Sequence, residues 1–234
     1  MTGLSYSEGE SPQELTQSVA NVLNRITGCK VVSSHRVQVA SVSHPLPALP
    51  APKADSYICF VLSPIKQMCK LNVLSLVNSL TFDNCFRHSK RHTAYFGDFS
   101  YKYSNTHHTP SPLSTNKIVY NCISILNETF PNTGFNSVLI NYYPDSRAMI
   151  PFHSDDEANI CSNSYILTLS LGATREITFR NKINKKHLIK LALSHGSLIG
   201  FSKHSQTLYE HAVLECVRQG PTGPRISLTF RKIL

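Results

Sequence analysis

The residues of this chain best suited to chemistry are His153 and Asp155, one residue apart in His153-Ser154-Asp155-Asp156-Glu157. On an extended segment side chains alternate, so an imidazole and a carboxylate at this spacing point the same way and can bind one metal ion. Two histidines and one carboxylate on one face of a metal leave coordination positions open, the set suited to a non-heme Fe(II) oxygenase. His-x-acid alone is a weak signal in a chain with 11 histidines and 14 acidic residues. A second histidine must return from far downstream. His211 opens a strand expected over 211–217, whereas His195 sits in a Ser-His-Gly-Ser turn and His204 in a polar loop, and neither is held by a strand. A second feature is Arg225-Ile226-Ser227-Leu228-Thr229-Phe230-Arg231. Period-two alternation puts Arg225, Ser227, Thr229 and Arg231 on one face, and Ile226, Leu228 and Phe230 on the other. Two arginines make poor lining for a buried interior unless an anion sits there. A dicarboxylate meets that demand: guanidinium clamps one end, and a 2-oxo acid at the other end takes the open metal positions.

Strands must carry these residues. After Phe135 the pattern is one of short strands: 137–143, 165–171, 175–180, 187–193, 197–201, 211–217 and 225–231. They are separated by Pro144-Asp145, Gly172, 181–184, His195-Gly196 and 220–224. The turn at 220–224 predicts a hairpin that sets His211 beside the Arg231 end. Helices are expected over 70–80 and 117–130, the second ended by Pro131. Tyr95 to Tyr103 alternates aromatics with small residues, and 106–114 reads as a polar loop with His107 and His108 exposed. Upstream, 11–27 reads as a capped helix, 31–42 as a strand, and His44 to Pro52 carries four prolines in nine residues. Such a stretch is extended and serves as a linker. The expected organisation is an N-terminal extension over 1–56, with its helix at 11–27 and linker at 44–55, then a domain over 57–234. The element pattern predicts an α+β, mainly β fold, a sandwich or jelly roll with helices packed on one side.

Bulk properties narrow the partners. The 234 residues carry 23 basic against 14 acidic side chains, a formal charge of +9, which suits a polyanion such as nucleic acid. Seven cysteines without a CxxC pair fit a reducing compartment better than a disulfide framework. A polar N-terminus and the absence of any long apolar run predict a cytoplasmic protein with no membrane segment, and a monomer is expected.

From about Asn72 to the C-terminus the chain resembles the AlkB family of Fe(II)/2-oxoglutarate-dependent nucleic acid demethylases. The matching pieces come in family order: Ala94-Tyr95-Phe96-Gly97 with Tyr101-Lys102-Tyr103-Ser104, Asn141-Tyr142-Tyr143, His153 to Glu157, and Leu169-Ser170-Leu171-Gly172-Ala173. Gly196-Ser197-Leu198-Ile199, His211 and Arg225 to Arg231 complete the set. The chain also resembles AlkB domains of plant RNA virus replicases, which would place it in the host cytoplasm.

The resemblance implies a double-stranded β-helix and roles position by position. His153, Asp155 and His211 would bind Fe(II). Asn141 and Tyr143 would hydrogen-bond 2-oxoglutarate, Arg225 would pair with its distal carboxylate, and Ser227 and Arg231 would line that pocket. Glu157 would contact the exocyclic group of a flipped base, His153 would stack on one face of it, and Tyr101 would cover the other. Ser227 stands where many members have Asn and Tyr209 where Trp is frequent. The implied reaction uses O2 and 2-oxoglutarate to demethylate N-alkylated bases in RNA or single-stranded DNA, RNA ahead of DNA, releasing formaldehyde and succinate. Lys182, Lys185 and Lys186 are expected to hold phosphates. Alternatives are an oxygenase acting on a protein or small molecule, and a non-catalytic RNA-binding module.

Overall fold

In the computed structural model the described residues are 68–234, apart from 104–105, 131–132, 163, 204 and 217–222, together with the strand segments 30–34, 37–41 and 59–62. The helix expected at 11–27 and the linker at 44–55 lie outside them. Fifteen strands are described. They are β1 (Lys30–Ser34), β2 (Val37–Ser41), β3 (Cys59–Leu62), β4 (Asn84–Phe86), β5 (Arg91–Gly97), β6 (Tyr101–Tyr103), β7 (Thr106–His108) and β8 (Ser137–Tyr143). The rest are β9 (Ile150–His153), β10 (Tyr165–Gly172), β11 (Arg175–Asn181), β12 (His187–Leu193), β13 (Ser197–Ser202), β14 (Tyr209–Val213) and β15 (Arg225–Arg231).

They form a major sheet in the order β1-β2-β3-β13-β10-β15-β8-β5-β4, a minor sheet β12-β11-β14-β9, and the pair β6-β7. All ladders are antiparallel except β2 with β3. The expected jelly roll with helices on one side is the architecture found. Strand-face alternation explains it. Val138, Ile140, Leu167, Leu169, Leu171, Ile226, Leu228 and Phe230 point to one face of the major sheet and form a core with the helices. Leu139, Tyr143, Ile166, Ile199 and Phe201 point to the other face and meet Ile150, Ile177, Phe179, Leu193 and Val213 of the minor sheet.

Two helices cover the outer face. In α1 (Val73–Asn78) the Asn72 side chain caps the N-terminus by accepting from the Ser75 N–H at 3.0 Å. In α2 (Lys117–Thr129) Asn116 accepts from the N–H groups of Ile118 and Val119, and Val119, Cys122, Ile123 and Leu126 recur at helical spacing against the sheet. Each fully buried side chain of this kind stabilises by about 1.5–3 kcal/mol relative to exposure.

Two expectations are corrected. The segment around His108 is not an exposed loop, because β7 pairs with β6 and His108 is buried at 1% exposure. Nor do β14 and β15 form a hairpin. β14 lies between β11 and β9 in the minor sheet, and β15 lies between β10 and β8 in the major sheet. His211 still comes near Arg231, but across the gap between two sheets rather than along a ladder. Turn residues at 220–224 are compatible with a strand that changes sheets, and sequence alone does not separate the two cases.

Candidate active site

The two sheets enclose a cavity of about 470 Å³ including its open mouth. Alternation fills its wall: β15 contributes Arg225, Ser227, Thr229 and Arg231, β8 contributes Asn141 and Tyr143, and the minor sheet contributes His153 and His211. The face of β15 expected to meet an anion therefore faces this cavity.

At one end the register of β9 against β14 sets His153 opposite His211, with ring centroids 4.2 Å apart. Asp155 follows two residues on. One ligand atom from each of His153, Asp155 and His211 lies within 4.8 Å of the others. Local bonds fix this geometry. His153 Nδ1 lies 2.8 Å from the Pro151 carbonyl, which can only accept, so Nδ1 carries the proton and Nε2 keeps its lone pair. Ser154 Oγ donates to the Tyr209 carbonyl at 3.1 Å, and the Asp155 N–H donates to Gln206 Oε1 at 3.2 Å. Gln206 belongs to the short helix α3 (Ser205–Leu208) and is held in turn by a bond from its Nε2 to Ser205 Oγ. His211 packs against the rings of Phe179 and Phe201, at 5.7 and 5.1 Å, and those two rings also touch each other at 6.1 Å.

The electrostatics suit metal ligands. Burial, then the neighbouring His153, push His211 down to about 3, so its imidazole is neutral near pH 7. Burial likewise lowers His153. Burial acts to raise Asp155, but its neighbours, with the Arg231 guanidinium at 2.8 Å foremost, outweigh it and hold the carboxyl below its usual range. Asp155 Oδ1 and His211 Nδ1 are buried without a hydrogen-bond partner. Among the described residues this is the one cluster of three such groups. Buried orphaned atoms on a His-Asp-His set fit a divalent metal, and Fe(II) in particular through the open positions such a set leaves.

At the other end sits Arg225, 2% exposed, opposite Tyr143 in the ladder and with its guanidinium 5.0 Å from that ring. Arg225 Nε donates to Ser170 Oγ at 3.0 Å, while Nη1 has no partner. Gly172 allows this close approach. Its φ is +90°, and a Cβ there would lie 2.3 Å from the Pro224 carbonyl, immediately before Arg225. Among the described residues four arginines are buried (Arg91, Arg175, Arg225 and Arg231) against one buried carboxylate, Asp155. Arg175 donates through Nη1 and Nη2 to the carbonyls of Asp145, Ala148 and Leu214, while its buried Nε has no partner. The excess positive charge asks for an anion.

Sequence reasoning missed Arg91 and Gln206. Arg91 is 5% exposed and donates through Nη1 to Asn141 Oδ1 at 2.5 Å. Arginine cannot accept, so this bond sets the amide orientation and turns Asn141 Nδ2 outward as a donor. A signal existed: Arg91, Thr93 and Tyr95 alternate with His92, Ala94 and Phe96, the same arginine-led face as in β15. Nothing local marked Gln206. Of the remaining expected residues, Glu157 is half-buried just past Asp155 and does not line the cavity. Tyr101 lies on β6 opposite His108, and its side chain lies outside the described residues, as does His204. His195 is tied elsewhere, accepting from the Gly172 N–H and donating to the Cys69 carbonyl.

A jelly roll with a His-Asp-His cluster at one end of its cavity and a buried arginine at the other agrees with what the chain is similar to. Residues 78–231 match the family model described as the 2OG-Fe(II) oxygenase superfamily, to which the chain belongs. Its relatives are AlkB homologues. The chain is 40% identical over 107 residues to the DNA oxidative demethylase ALKBH2 of Bos taurus, covering 43% of this chain and 38% of that protein. It is 32% identical over 151 residues to the alpha-ketoglutarate-dependent dioxygenase alkB homolog 3 of Mus musculus, covering 61% and 51%. Human ALKBH2 is 38% identical over 107 residues, covering 43% and 40%. The chain thus spans about half or less of these relatives' length. Membership implies Fe(II), 2-oxoglutarate and O2 as the reagents of a dioxygenase. No helix among the described residues is long and apolar enough to cross a membrane.

Proposed function

We propose that this protein oxidatively demethylates N-alkylated bases in single-stranded nucleic acid, using one cavity for iron and 2-oxoglutarate. The observation that carries the reading is the pairing within one cavity of the His153–Asp155–His211 cluster with the buried guanidinium of Arg225. His153 Nε2, an Asp155 oxygen and a His211 nitrogen would hold Fe(II). Arg225 would take the distal carboxylate of 2-oxoglutarate by a charge-assisted bond, with Asn141, Tyr143, Ser227 and Arg231 binding along its length. When bound, the iron would supply oxidation of an N-methyl group by O2 coupled to conversion of 2-oxoglutarate to succinate and CO2, with the methyl carbon leaving as formaldehyde.

The chain's own residues hold the reagents and keep out water. Phe201 lines the cavity beside His211 and Phe179 packs against that ring, Gln206 and Ser154 fix the loop that carries Asp155, and Arg91 presents the Asn141 donor. His153 would lie against one face of the base, Tyr101 against the other, with Glu157 at its exocyclic group. A base must leave its stack to enter, which favours single strands. RNA stands ahead of DNA through the resemblance to replicase domains, and the +9 charge suits either polymer.

The test is mass spectrometry of single-stranded RNA and DNA carrying 1-methyladenine, incubated with Fe(II) and 2-oxoglutarate. Loss of one methyl group per base, abolished by Asp155→Ala, is expected. Undiminished demethylation by Asp155→Ala would remove the metal assignment.

A further inference from the structure

The turn joining β11 to β12 displays Ile183 at 89% exposure, the highest among the large hydrophobic side chains described. It is a built turn. Asn181 Oδ1 accepts the N–H of Ile183 at 2.8 Å and of Asn184 at 3.2 Å, and Asn184 Oδ1 accepts that of Lys186 at 2.9 Å. The backbone closes through Asn181 N–H to the Lys186 carbonyl and Lys185 N–H to the Asn181 carbonyl. A rigid turn that holds an isoleucine in water forgoes the stabilisation of its burial, which marks the position for contact.

Lysines surround it, and two of them brace the turn on the active-site rim. Lys182 Nζ lies 2.7 Å from Asp156, the neighbour of Asp155, and Lys185 Nζ lies 2.9 Å from Glu210, the neighbour of His211. Lys182 and Asp156 are 27% and 48% exposed, and Lys185 is 54% exposed over a Glu210 that Arg180 also holds at 2.6 Å, so each lysine can leave its partner for another anion without stranding a carboxylate in the interior. Leu208, 45% exposed, adds a second apolar group beside the turn, where its carbonyl accepts the Lys182 N–H at 3.0 Å. The lysines expected to be plain phosphate contacts are therefore part of a mixed apolar and cationic rim, fastened to both segments that carry the His-Asp-His cluster.

We infer that this turn docks the nucleic acid strand next to the extruded base. Lys185 and Lys186 engage its phosphates, while Ile183 packs on the adjacent base and keeps the strand unstacked at the cavity mouth. The inference rests on the demethylase reading. The occupant is a nucleic acid strand rather than a lipid surface because the patch is one rigid turn braced against the site, with no amphipathic helix.

Fluorescence anisotropy with a single-stranded oligonucleotide of about 12 nucleotides, within the span of single-strand sites, tests it. The double variant Lys185→Gln/Lys186→Gln is expected to flatten the slope of log affinity against log salt by about 1.4, at roughly 0.7 for each single-strand phosphate that is no longer neutralised. Ile183→Ser is expected to weaken binding about fivefold with the salt slope unchanged, as for removal of an apolar group worth about 1 kcal/mol. Thermal unfolding midpoints of both variants should match the parent, since these side chains are exposed. Parent-like affinity and slope in both variants overturns the docking role and leaves the demethylase reading standing. Absence of any single-strand binding by the parent overturns both. Binding to phosphatidylserine vesicles that disappears in the variants, with oligonucleotide binding intact, overturns the docking role in favour of a lipid surface.

Discussion

The ion pair between Arg231 and Asp155 ties the anion-binding strand to the metal cluster, and removing half of it has a calculable cost. The pair is 2.8 Å long and each side chain is 3% exposed. Unit charges about 4 Å apart attract by about 4 kcal/mol at an effective dielectric near 20, and deleting one partner of a buried pair typically costs about 3–5 kcal/mol. Arg231→Met keeps the volume and leaves Asp155 as a buried carboxylate beside two neutral imidazoles, so its pKa rises. The metal-free variant should lose about 3–5 kcal/mol in urea unfolding, a large share of the roughly 5–15 kcal/mol of a typical domain. With Mn(II) present in excess, the cation compensates the Asp155 charge and the deficit should shrink by half or more, since binding to the folded state stabilises it by mass action. Asp155→Leu combined with Arg231→Met should recover much of the loss, as when a buried pair is replaced whole by apolar groups. A loss under about 1 kcal/mol without metal, or one that Mn(II) leaves unchanged, refutes the reasoning.

Further outcomes follow from the other buried groups. Arg91→Leu should weaken 2-oxoglutarate binding to Mn(II)-loaded protein about tenfold by titration calorimetry, because a charged hydrogen bond worth about 1.5–3 kcal/mol no longer orients Asn141; Arg91→Lys should recover part of it. Burial, then Arg231 and Arg91, push His108 down to about 4. The unfolded chain takes up this proton near pH 6.5 and the folded one does not, so its contribution is intact above 6.5 and lost as pH falls towards 4. His108→Gln should therefore lose about 2–3 kcal/mol less than the parent between about pH 7.5 and 4.5, at roughly 1.36 kcal/mol per unit. Parallel pH profiles of the two proteins would contradict the burial of a neutral His108.

What the sequence made legible was what depends on alternation. β15 shows this: its arginine face and apolar face are separated by the strand period alone, and both lie where that period puts them. β8, β12 and β15 have the bounds expected from turn residues and apolar runs. His153 and Asp155 were legible through spacing, and His211 through its place on a strand. The rest depends on tertiary pairing. β14 joins the minor sheet, and no local signal separates that from a hairpin with β15. Gln206 meets Asp155 from 51 residues away by an amide that only the folded chain brings to the backbone. His108 reads as a polar-loop residue and is buried because β6 and β7 pair.

The most direct test of the central claim is the simultaneous quantification of succinate and formaldehyde from the protein with Fe(II), 2-oxoglutarate, O2 and single-stranded RNA carrying 1-methyladenine. Formaldehyde that depends on the methylated base is expected, accompanied by succinate, with both abolished in Arg225→Ala. Succinate without formaldehyde would contradict demethylation while leaving an oxygenase, and neither product from protein with bound iron would contradict the catalytic reading as a whole.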